Sequence, residues 1–146
     1  MTLTEFFQSV AARENAAAKA LRQSLLHQLA GMTRRAHDAG FFHQDLKWRN
    51  LLVTHTPRME PQLWWIDCPR GRFDRWSPWR ARRGLKDLAS LDKVAARVCT
   101  RSERAAFARD YLGRTSLDAE VRNLIRATLE DRRTRWPEDW DEGSTP

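Results

Sequence analysis

The chain has 146 residues, of which 41% are hydrophobic and 31% charged, so it can form one domain with a real core but not two ordinary domains. No apolar run approaches the length needed to cross a bilayer, and the first ten residues lack the basic head and apolar middle of a secretory signal. The formal net charge of +7 favours an anionic partner, although charge alone does not choose between nucleic acid, anionic lipid and a phosphorylated substrate.

Two helices are predicted in the first part of the chain. Thr2 and Glu5 have the spacing of a capping box, and a short helix is predicted over residues 2–12. A longer helix is predicted from about Ala16 to His37, because apolar residues recur at three- and four-residue steps and Gly40 follows as a stop signal. The recurring residues are Leu21, Leu25, Leu29, Met32 and Ala36.

The spacing of apolar residues changes after this helix. Two short apolar runs, residues 51–54 and 62–66, predict β-strands, and the proline-containing segment between them suits a hairpin loop whose midpoint falls near Arg58 and Met59. Successive side chains of a strand point to opposite faces, so either Trp64 or the neighbouring Trp65 should face the core.

Residues 68–84 contain two prolines, two glycines and six arginines, and they predict a long irregular segment. Such a loop in a compact domain is usually functional or disordered. Its two tryptophans, Trp76 and Trp79, could stack on sugar rings, but burial that anchors the loop is the preferred expectation. The two cysteines, Cys68 and Cys99, form no disulfide framework and no metal spacing, so free thiols in a reducing cytosol are expected.

Three further helices are predicted towards the end of the chain. The first begins near Leu85 and has an apolar face of leucines followed by Val94 or Ala95. The second is predicted to begin at an N-cap on Ser102 and to end at Gly113, and the third to begin at an N-cap on Ser116 and to end before Pro137. The predicted whole is a set of helices around one small hairpin.

Polar side chains lie where the predicted hairpin begins and ends. Asn50 precedes the first strand and Asp67 follows the second, and antiparallel pairing brings these two positions to one edge. Asp45 lies on the loop that enters this edge, and Lys47 lies beside it. An amide and carboxylates suit Mg²⁺, and a lysine can neutralise a phosphoryl group, so this edge is predicted to support phosphoryl transfer.

The same residues resemble a known motif. The stretch at residues 43–50 reproduces the H-x-D-L-K-x-x-N pattern of the kinase catalytic loop. The wider context, HQDLKWRNLLV, WWIDCPRGRF and RGLKDLASL, closely resembles the bacterial lipopolysaccharide kinases that phosphorylate Kdo or heptose of the inner core. In that family an I-D-x-x-R-G stretch takes the place of D-F-G, and residues 66–71 match it. The resemblance covers about residues 16–135.

This resemblance implies roles for individual residues. Asp45 would be the catalytic acid that faces the acceptor hydroxyl, and Lys47 would be the cation that contacts the phosphate. Asn50 and Asp67 would bind Mg²⁺ and, through it, ATP.

Three further residues acquire a role from the same resemblance. His43 would be a structural residue of the catalytic loop, and Asp87 would be a buried helix acid that braces the loop. Gln44 stands where many regulated protein kinases have an arginine, so no dependence on activation-loop phosphorylation is expected.

The resemblance also implies a fold: an α+β, mainly helical, protein-kinase-like C-terminal lobe over residues 1–140, with the catalytic loop at 43–50, the metal-binding aspartate region at 66–71 and a disordered tail at 141–146. The 146 residues contain neither a G-x-G-x-x-G loop nor a strand-borne V-A-I-K lysine. We therefore expect an N-terminal lobe to be absent here and to come from a missing segment or a partner chain; otherwise the chain is a kinase relic.

The leading hypothesis is thus a phosphotransferase that moves the γ-phosphate of ATP to a hydroxyl of Kdo or heptose, with a lipopolysaccharide inner-core or lipid-linked sugar as acceptor. Its expected location is the cytoplasm, with peripheral contact at the cytoplasmic face of the inner membrane. The alternative is a non-catalytic kinase-like binding or regulatory module.

A nucleic-acid partner is not expected, because the arginines form no helix-face stripe joined to a reader motif. The arginines of residues 68–84 either bind acidic groups of the acceptor or form a solvated loop, and the sequence leaves both open.

Overall fold

The computed structural model describes residues 1–11, 15–56 and 59–139, and it consists mainly of helices packed against two small pairs of strands. This is the α+β, mainly helical class that the sequence predicts. The elements in chain order are α1 (Leu3–Ala11), α2 (Ala16–Asp38), β1 (Phe41–Phe42), β2 (Leu51–Thr56), β3 (Met59–Trp65), β4 (Arg72–Phe73), α3 (Arg80–Val98), α4 (Arg101–Leu112) and α5 (Ala119–Arg135). None of the described helices is both long and apolar enough to span a membrane.

The first two helices confirm the prediction and its signals. The backbone N–H of Thr2 donates to Glu5 Oε2 at 2.7 Å, and the N–H of Glu5 donates to Thr2 Oγ1 at 3.3 Å, so the capping box is formed. At the start of α2, Asn15 Oδ1 accepts from the N–H of Ala18 at 2.8 Å. Gly40 follows the helix with φ +84°, a conformation that glycine adopts without steric cost.

The predicted N-caps of α4 and α5 are wrong by two residues. The N-cap of α4 is Thr100, not Ser102, because Thr100 and Glu103 form a reciprocal capping box and Ser102 already lies in the first turn. The N-cap of α5 is Asp118, not Ser116, because the Asp118 carboxylate accepts from the N–H of Val121 at 3.0 Å. The predicted end of α4 at Gly113 is confirmed, with φ +63°.

The segment 68–84 is more regular than predicted. Residues Arg72–Phe73 form β4, which pairs with β1 in antiparallel register, and α3 begins at Arg80 rather than near Leu85. The first turn of α3 is rich in arginine and faces solvent, so it carries no apolar period from which a helix could be predicted. The expected burial of Trp76 and Trp79 is also wrong, because these side chains are 94% and 55% exposed.

The predicted hairpin is present and longer than expected. Strand β2 pairs antiparallel with β3, with Leu51 opposite Trp65, and the strands extend two to three residues into the predicted loop. Pro61 is tolerated in β3 because each strand of a two-stranded sheet is an edge strand. Trp64 is 56% exposed while Trp65 packs against the core, which confirms the expected alternation. The hairpin midpoint at Arg58 and the predicted tail at 141–146 lie outside the described residues.

One hydrophobic core joins the hairpin to the helices. Trp48, 1% exposed, lies in a short 3-10 turn before β2, and its indole N–H donates to the carbonyl oxygen of Leu91 in α3 at 2.9 Å. The loop that precedes β2 is therefore fixed to α3 through the core. The buried cluster consists of Leu3, Phe6, Phe7, Val10, Ala18, Leu25, Leu26, Leu29, Leu46, Trp48, Leu51, Val53, Leu63 and Leu91.

Candidate active site

The loop between β1 and β2 places alternate side chains in the core and at the surface. Leu46 and Trp48 are buried, whereas Asp45 and Lys47 are partly exposed and Arg49 is exposed. Lys47 has an extended backbone, so its side chain points away from the face that buries Leu46 and Trp48, and burial of these two apolar residues fixes the direction of the polar ones. The residues predicted to act on substrate are thus held at the surface by their neighbours.

Asp87 of α3 holds the beginning of this loop. Its carboxylate is fully buried and accepts the backbone N–H groups of His43 at 2.8 Å and Gln44 at 2.7 Å. Gln44 has φ +65°, an uncommon conformation for a residue with a long side chain, and these charge-assisted hydrogen bonds offset its cost. The predicted brace is confirmed in its geometry.

A second partner of Asp87 was not predicted from the sequence. His37 of α2 is 5% exposed, and its Nε2 donates to the Asp87 carboxylate at 3.3 Å, while its Nδ1 lies 2.8 Å from the hydroxyl oxygen of Tyr111. Burial raises the pKa of Tyr111 to about 12, so its phenol stays protonated. The sequence did contain a signal, because His37 follows Ala30 and Thr33 at helical spacing and so lies on a buried face of α2.

His43 joins the loop to the end of the hairpin. The ring is fully buried, its Nδ1 accepts from the N–H of Asp45 at 3.4 Å, and its Nε2 donates to the carbonyl oxygen of Ile66 at 3.4 Å. These two partners make Nδ1 the acceptor and Nε2 the donor, because a backbone N–H needs an acceptor and a carbonyl needs a donor. The position is that of a structural residue, as expected.

Asn50 brings the two predicted stretches together. Its side-chain amide donates to the carbonyl oxygen of Asp45 at 2.9 Å, and its backbone carbonyl accepts the N–H of Ile66 at 3.0 Å. Asp67 is the next residue, is exposed and has φ +56°. Among the described residues, Gln44 and Asp67 alone combine a side chain with positive φ, and both lie in this region. The backbones that carry Asp45, Asn50 and Asp67 are therefore adjacent.

The electrostatics of Asp45 are set by neighbouring cations. Lys47 Nζ lies 2.6 Å from Asp45 Oδ1. Partial burial of the carboxyl acts to raise its pKa, but the hydrogen bond and charge of Lys47, together with the charges of Arg49 and Arg70, hold the pKa of Asp45 below its usual range. Asp45 is consequently a carboxylate at neutral pH, and it stays one in mildly acidic solution.

The oxygen atoms at this edge fit a magnesium ion that shares its coordination with a phosphorylated ligand. Asn50 uses its amide N–H₂ on Asp45, and its Oδ1 receives no hydrogen bond from the described residues. The described residues contain no group of three or more histidine, cysteine, aspartate and glutamate side chains that could form an all-protein cage. Mg²⁺ does not need such a cage, because it is usually held by one or two carboxylates and completes its shell with waters and phosphates.

Two comparisons with known proteins give matches. The model of the lipopolysaccharide kinase (Kdo/WaaP) family matches residues 1–111. A solved structure, WaaP in complex with acyl carrier protein, superposes with a TM-score of 0.74 at 25% sequence identity. The superposition covers 97% of this chain and 58% of the WaaP chain, so this chain spans less than two thirds of that protein. No curated protein matches the sequence.

Proposed function

Because this chain belongs to the lipopolysaccharide kinase (Kdo/WaaP) family, we propose that it carries the catalytic centre of an ATP- and Mg²⁺-dependent phosphotransferase. The observation that carries the proposal is the junction at Asn50, whose amide binds Asp45 and whose carbonyl binds the residue before Asp67. Phosphoryl transfer needs an acid beside the acceptor hydroxyl, oxygen ligands for the metal, and positive charge within one small region.

Asp45 is proposed to orient the acceptor hydroxyl. Its lowered pKa makes it a weak base, so its main contribution is to hold the hydroxyl by a hydrogen bond in line with the γ-phosphate. The loose transition state of phosphoryl transfer requires little proton removal before the phosphate bond breaks, so such an acid is adequate. Lys47, whose Nζ lies 2.6 Å from Asp45, is proposed to stabilise charge on the transferred phosphoryl oxygens.

Asn50 and Asp67 are proposed as the protein ligands of the metal. When bound, Mg²⁺ neutralises charge on the ATP phosphates and orients them. The protein contributes the Oδ1 of Asn50, which is held in place because the Nδ2 of the same amide is fixed on Asp45. It also contributes the exposed carboxylate of Asp67, whose direction is set by the left-handed backbone at that residue.

The proposed acceptor is a hydroxyl of Kdo or heptose in the lipopolysaccharide inner core, and the proposed location is the cytoplasm. These assignments rest on the family rather than on a feature of the site. The WaaP structure contains acyl carrier protein. We propose a partner of that kind for this chain on the likeness alone, and co-purification with acyl carrier protein is its test.

The test of the function is transfer of labelled γ-phosphate from ATP to inner-core acceptor, measured with this chain and with the longest polypeptide that contains it. We expect Asp45→Asn to lower the rate by about 100-fold or more. Asp38→Asn is the matched control, because it makes the same chemical change at a side chain that is 72% exposed. Equal transfer by the Asp45→Asn protein and the wild type would overturn the assignment of Asp45.

A second candidate is a non-catalytic kinase-like binding module. The sequence leaves it open, because residues 1–146 match neither a G-x-G-x-x-G loop nor a strand-borne V-A-I-K lysine. Titration of the chain with ATP in the presence and absence of Mg²⁺ separates the two. Binding that requires Mg²⁺ and is lost in Asp67→Asn supports the phosphotransferase, whereas nucleotide binding that is unchanged without Mg²⁺ and in Asp67→Asn supports the binding module.

A further inference from the structure

A surface of exposed aromatic and basic side chains lies between β4 and the first turns of α3. Phe73, Trp76 and Trp79 are 72%, 94% and 55% exposed. No other stretch of the described residues has three exposed large hydrophobic side chains so close together in sequence. Tryptophan buries much of its area in most folded proteins, so a side chain that is almost fully exposed calls for a partner. We name these three residues, together with Arg72, Arg75 and Arg82, the aromatic-arginine surface.

The charge of this surface is uncompensated. Residues 68–83 contain six arginines and one aspartate, a formal net charge of +5. The single acid, Asp74, is already paired with Arg83, with 3.1 Å between the carboxylate and the guanidinium. The arginines of the aromatic-arginine surface are exposed, and no ion pair to a carboxylate is found for them within the described residues. The natural partner is therefore anionic.

The segment that presents these side chains is anchored on both sides. The N–H of Asp74 donates to the carbonyl oxygen of Gly40 at 2.7 Å, and the Asp74 carboxylate accepts from the N–H of Ser77 at 3.2 Å. Arg80 donates to the carbonyl oxygens of His37 at 2.9 Å and Arg75 at 3.0 Å. Trp76 thus projects from a turn that is tied to the end of α2, and its exposure is a property of the fold.

The same segment borders the candidate active site. Arg70 is close enough to Asp45 for its charge to act on that carboxylate, and Phe73 pairs with Phe41, two residues before His43. A partner that covers the aromatic-arginine surface would therefore hold the catalytic loop beside it.

We propose that the aromatic-arginine surface docks on a bilayer that contains anionic phospholipid. Tryptophan and phenylalanine are suited to the headgroup region, where an amphipathic or apolar ring is partly removed from water, and exposed arginines in the same segment can bind lipid phosphates. A protein partner is less well matched, because the surface combines protruding rings with exposed charge that is predominantly of one sign. The inference rests on the proposed function in one respect: a lipid-linked acceptor makes docking beside the catalytic loop useful.

The test is co-sedimentation of the chain with vesicles of phosphatidylcholine alone and with vesicles that also contain phosphatidylglycerol. We expect binding only to the second kind, and weaker binding as salt is raised. Replacing both Arg75 and Arg82 by glutamine should weaken the vesicle affinity about 25-fold, at about fivefold for each arginine. Replacing both Trp76 and Trp79 by serine should weaken it about 10-fold or more.

Control variants make the comparison specific. Arg101→Gln with Arg126→Gln removes the same charge from exposed sites on α4 and α5, and Leu117→Ser removes an exposed apolar side chain elsewhere; both should bind vesicles as the wild type does. Asp45→Asn should also bind normally, because vesicle binding requires no transfer, so failure of the proposed function would leave this result intact. Equal binding to both kinds of vesicle, absence of binding, or equal loss in the control variants would each overturn the inference.

Discussion

The carboxylate of Asp87 accepts the backbone N–H of Gln44 at 2.7 Å, although the two residues are 43 positions apart in the chain. Gln44 is the residue immediately before Asp45, and it has a left-handed backbone conformation. A buried acid on α3 therefore determines the direction in which the chain enters the candidate catalytic loop. The conformation of the loop depends on tertiary structure, and the local sequence alone would not favour it.

Asp87→Asn should therefore destabilise the protein and disorder the loop. Asparagine can accept only one of the two N–H groups that Asp87 now binds, and its own N–H₂ would face the other, so we expect the free energy of unfolding to fall by about 3–5 kcal/mol. Urea denaturation measures this loss. Asp38→Asn should change stability by less than about 0.5 kcal/mol, and an equally small effect of Asp87→Asn would contradict the role of the brace.

Glu103 should make stability depend on pH in a predictable direction. Burial of its carboxyl acts to raise the pKa, but the hydrogen bonds from Arg22 at 2.7 and 2.9 Å and those within the α4 cap hold the pKa of Glu103 below its usual range. A group whose pKa is lowered by folding stabilises the protein above its unfolded pKa, and this contribution is lost as the pH falls through the folded pKa.

Glu103→Gln isolates the ion pair, because glutamine can still complete the capping box. At neutral pH we expect the free energy of unfolding to fall by about 2–3 kcal/mol, and this difference from the wild type should shrink as the pH falls below about 4. Glu5→Gln is the matched control, since Glu5 completes the capping box of α1 at a fully exposed site and should show a smaller effect. A difference that does not vary with pH would argue against the ion pair as its source.

Two glycines should respond to alanine in opposite directions. Gly40 has φ +84°, and an added Cβ would lie 2.7 Å from Arg75 Cγ, so Gly40→Ala should lower the free energy of unfolding by about 1–3 kcal/mol. Gly31 lies within α2, where an added Cβ would meet only the end of the Arg35 side chain at 3.2 Å. Gly31→Ala should raise stability by up to about 1 kcal/mol. Thermal unfolding of both variants would detect the difference. A change in stability of the same sign in both variants would contradict the turn geometry.

The two free thiols should differ in reactivity. Cys99 is largely buried, and burial raises its pKa to about 12, whereas Cys68 is exposed at the end of the hairpin. Burial also raises the pKa of Cys68, so neither thiol is strongly activated. We expect an alkylating reagent at neutral pH to modify Cys68 first and Cys99 only as the protein unfolds. Mass spectrometry of peptides over time would show this order, and faster loss of the Cys99 thiol would contradict it.

The sequence predicted those parts of the fold that depend on local signals. The capping box of Thr2 and Glu5, the long α2 and the end of α4 at Gly113 follow from spacing and backbone preference, and all three are found. The expectation that Asn50 and Asp67 lie at one edge followed from antiparallel pairing, and the backbone hydrogen bond between Asn50 and Ile66 bears out its geometry. Their roles in binding metal remain predictions.

Other features depend on contacts between distant parts of the chain and gave no such signal. Strands β1 and β4 contain two residues each, which is too few to show the alternation of polar and apolar residues that predicts a strand. They form because Phe41 pairs with Phe73. The start of α3 at Arg80 is set by hydrogen bonds of that arginine to Arg75 and His37. Trp76 was expected to anchor its loop by burial, but the turn that carries it projects away from the core.

The central claim is that the loop with Asp45 and the end of the hairpin with Asp67 form one site for a metal-bound nucleotide. Binding of the metal-bound nucleotide can be measured directly with Mn²⁺ in place of Mg²⁺. The chain is titrated with Mn²⁺ and ATP together, and bound Mn²⁺ is detected by electron paramagnetic resonance. We predict a bound Mn²⁺–ATP signal that is lost in both Asn50→Ala and Asp67→Asn and is retained in Asp38→Asn. A bound signal that survives both substitutions at the proposed ligands would contradict the account.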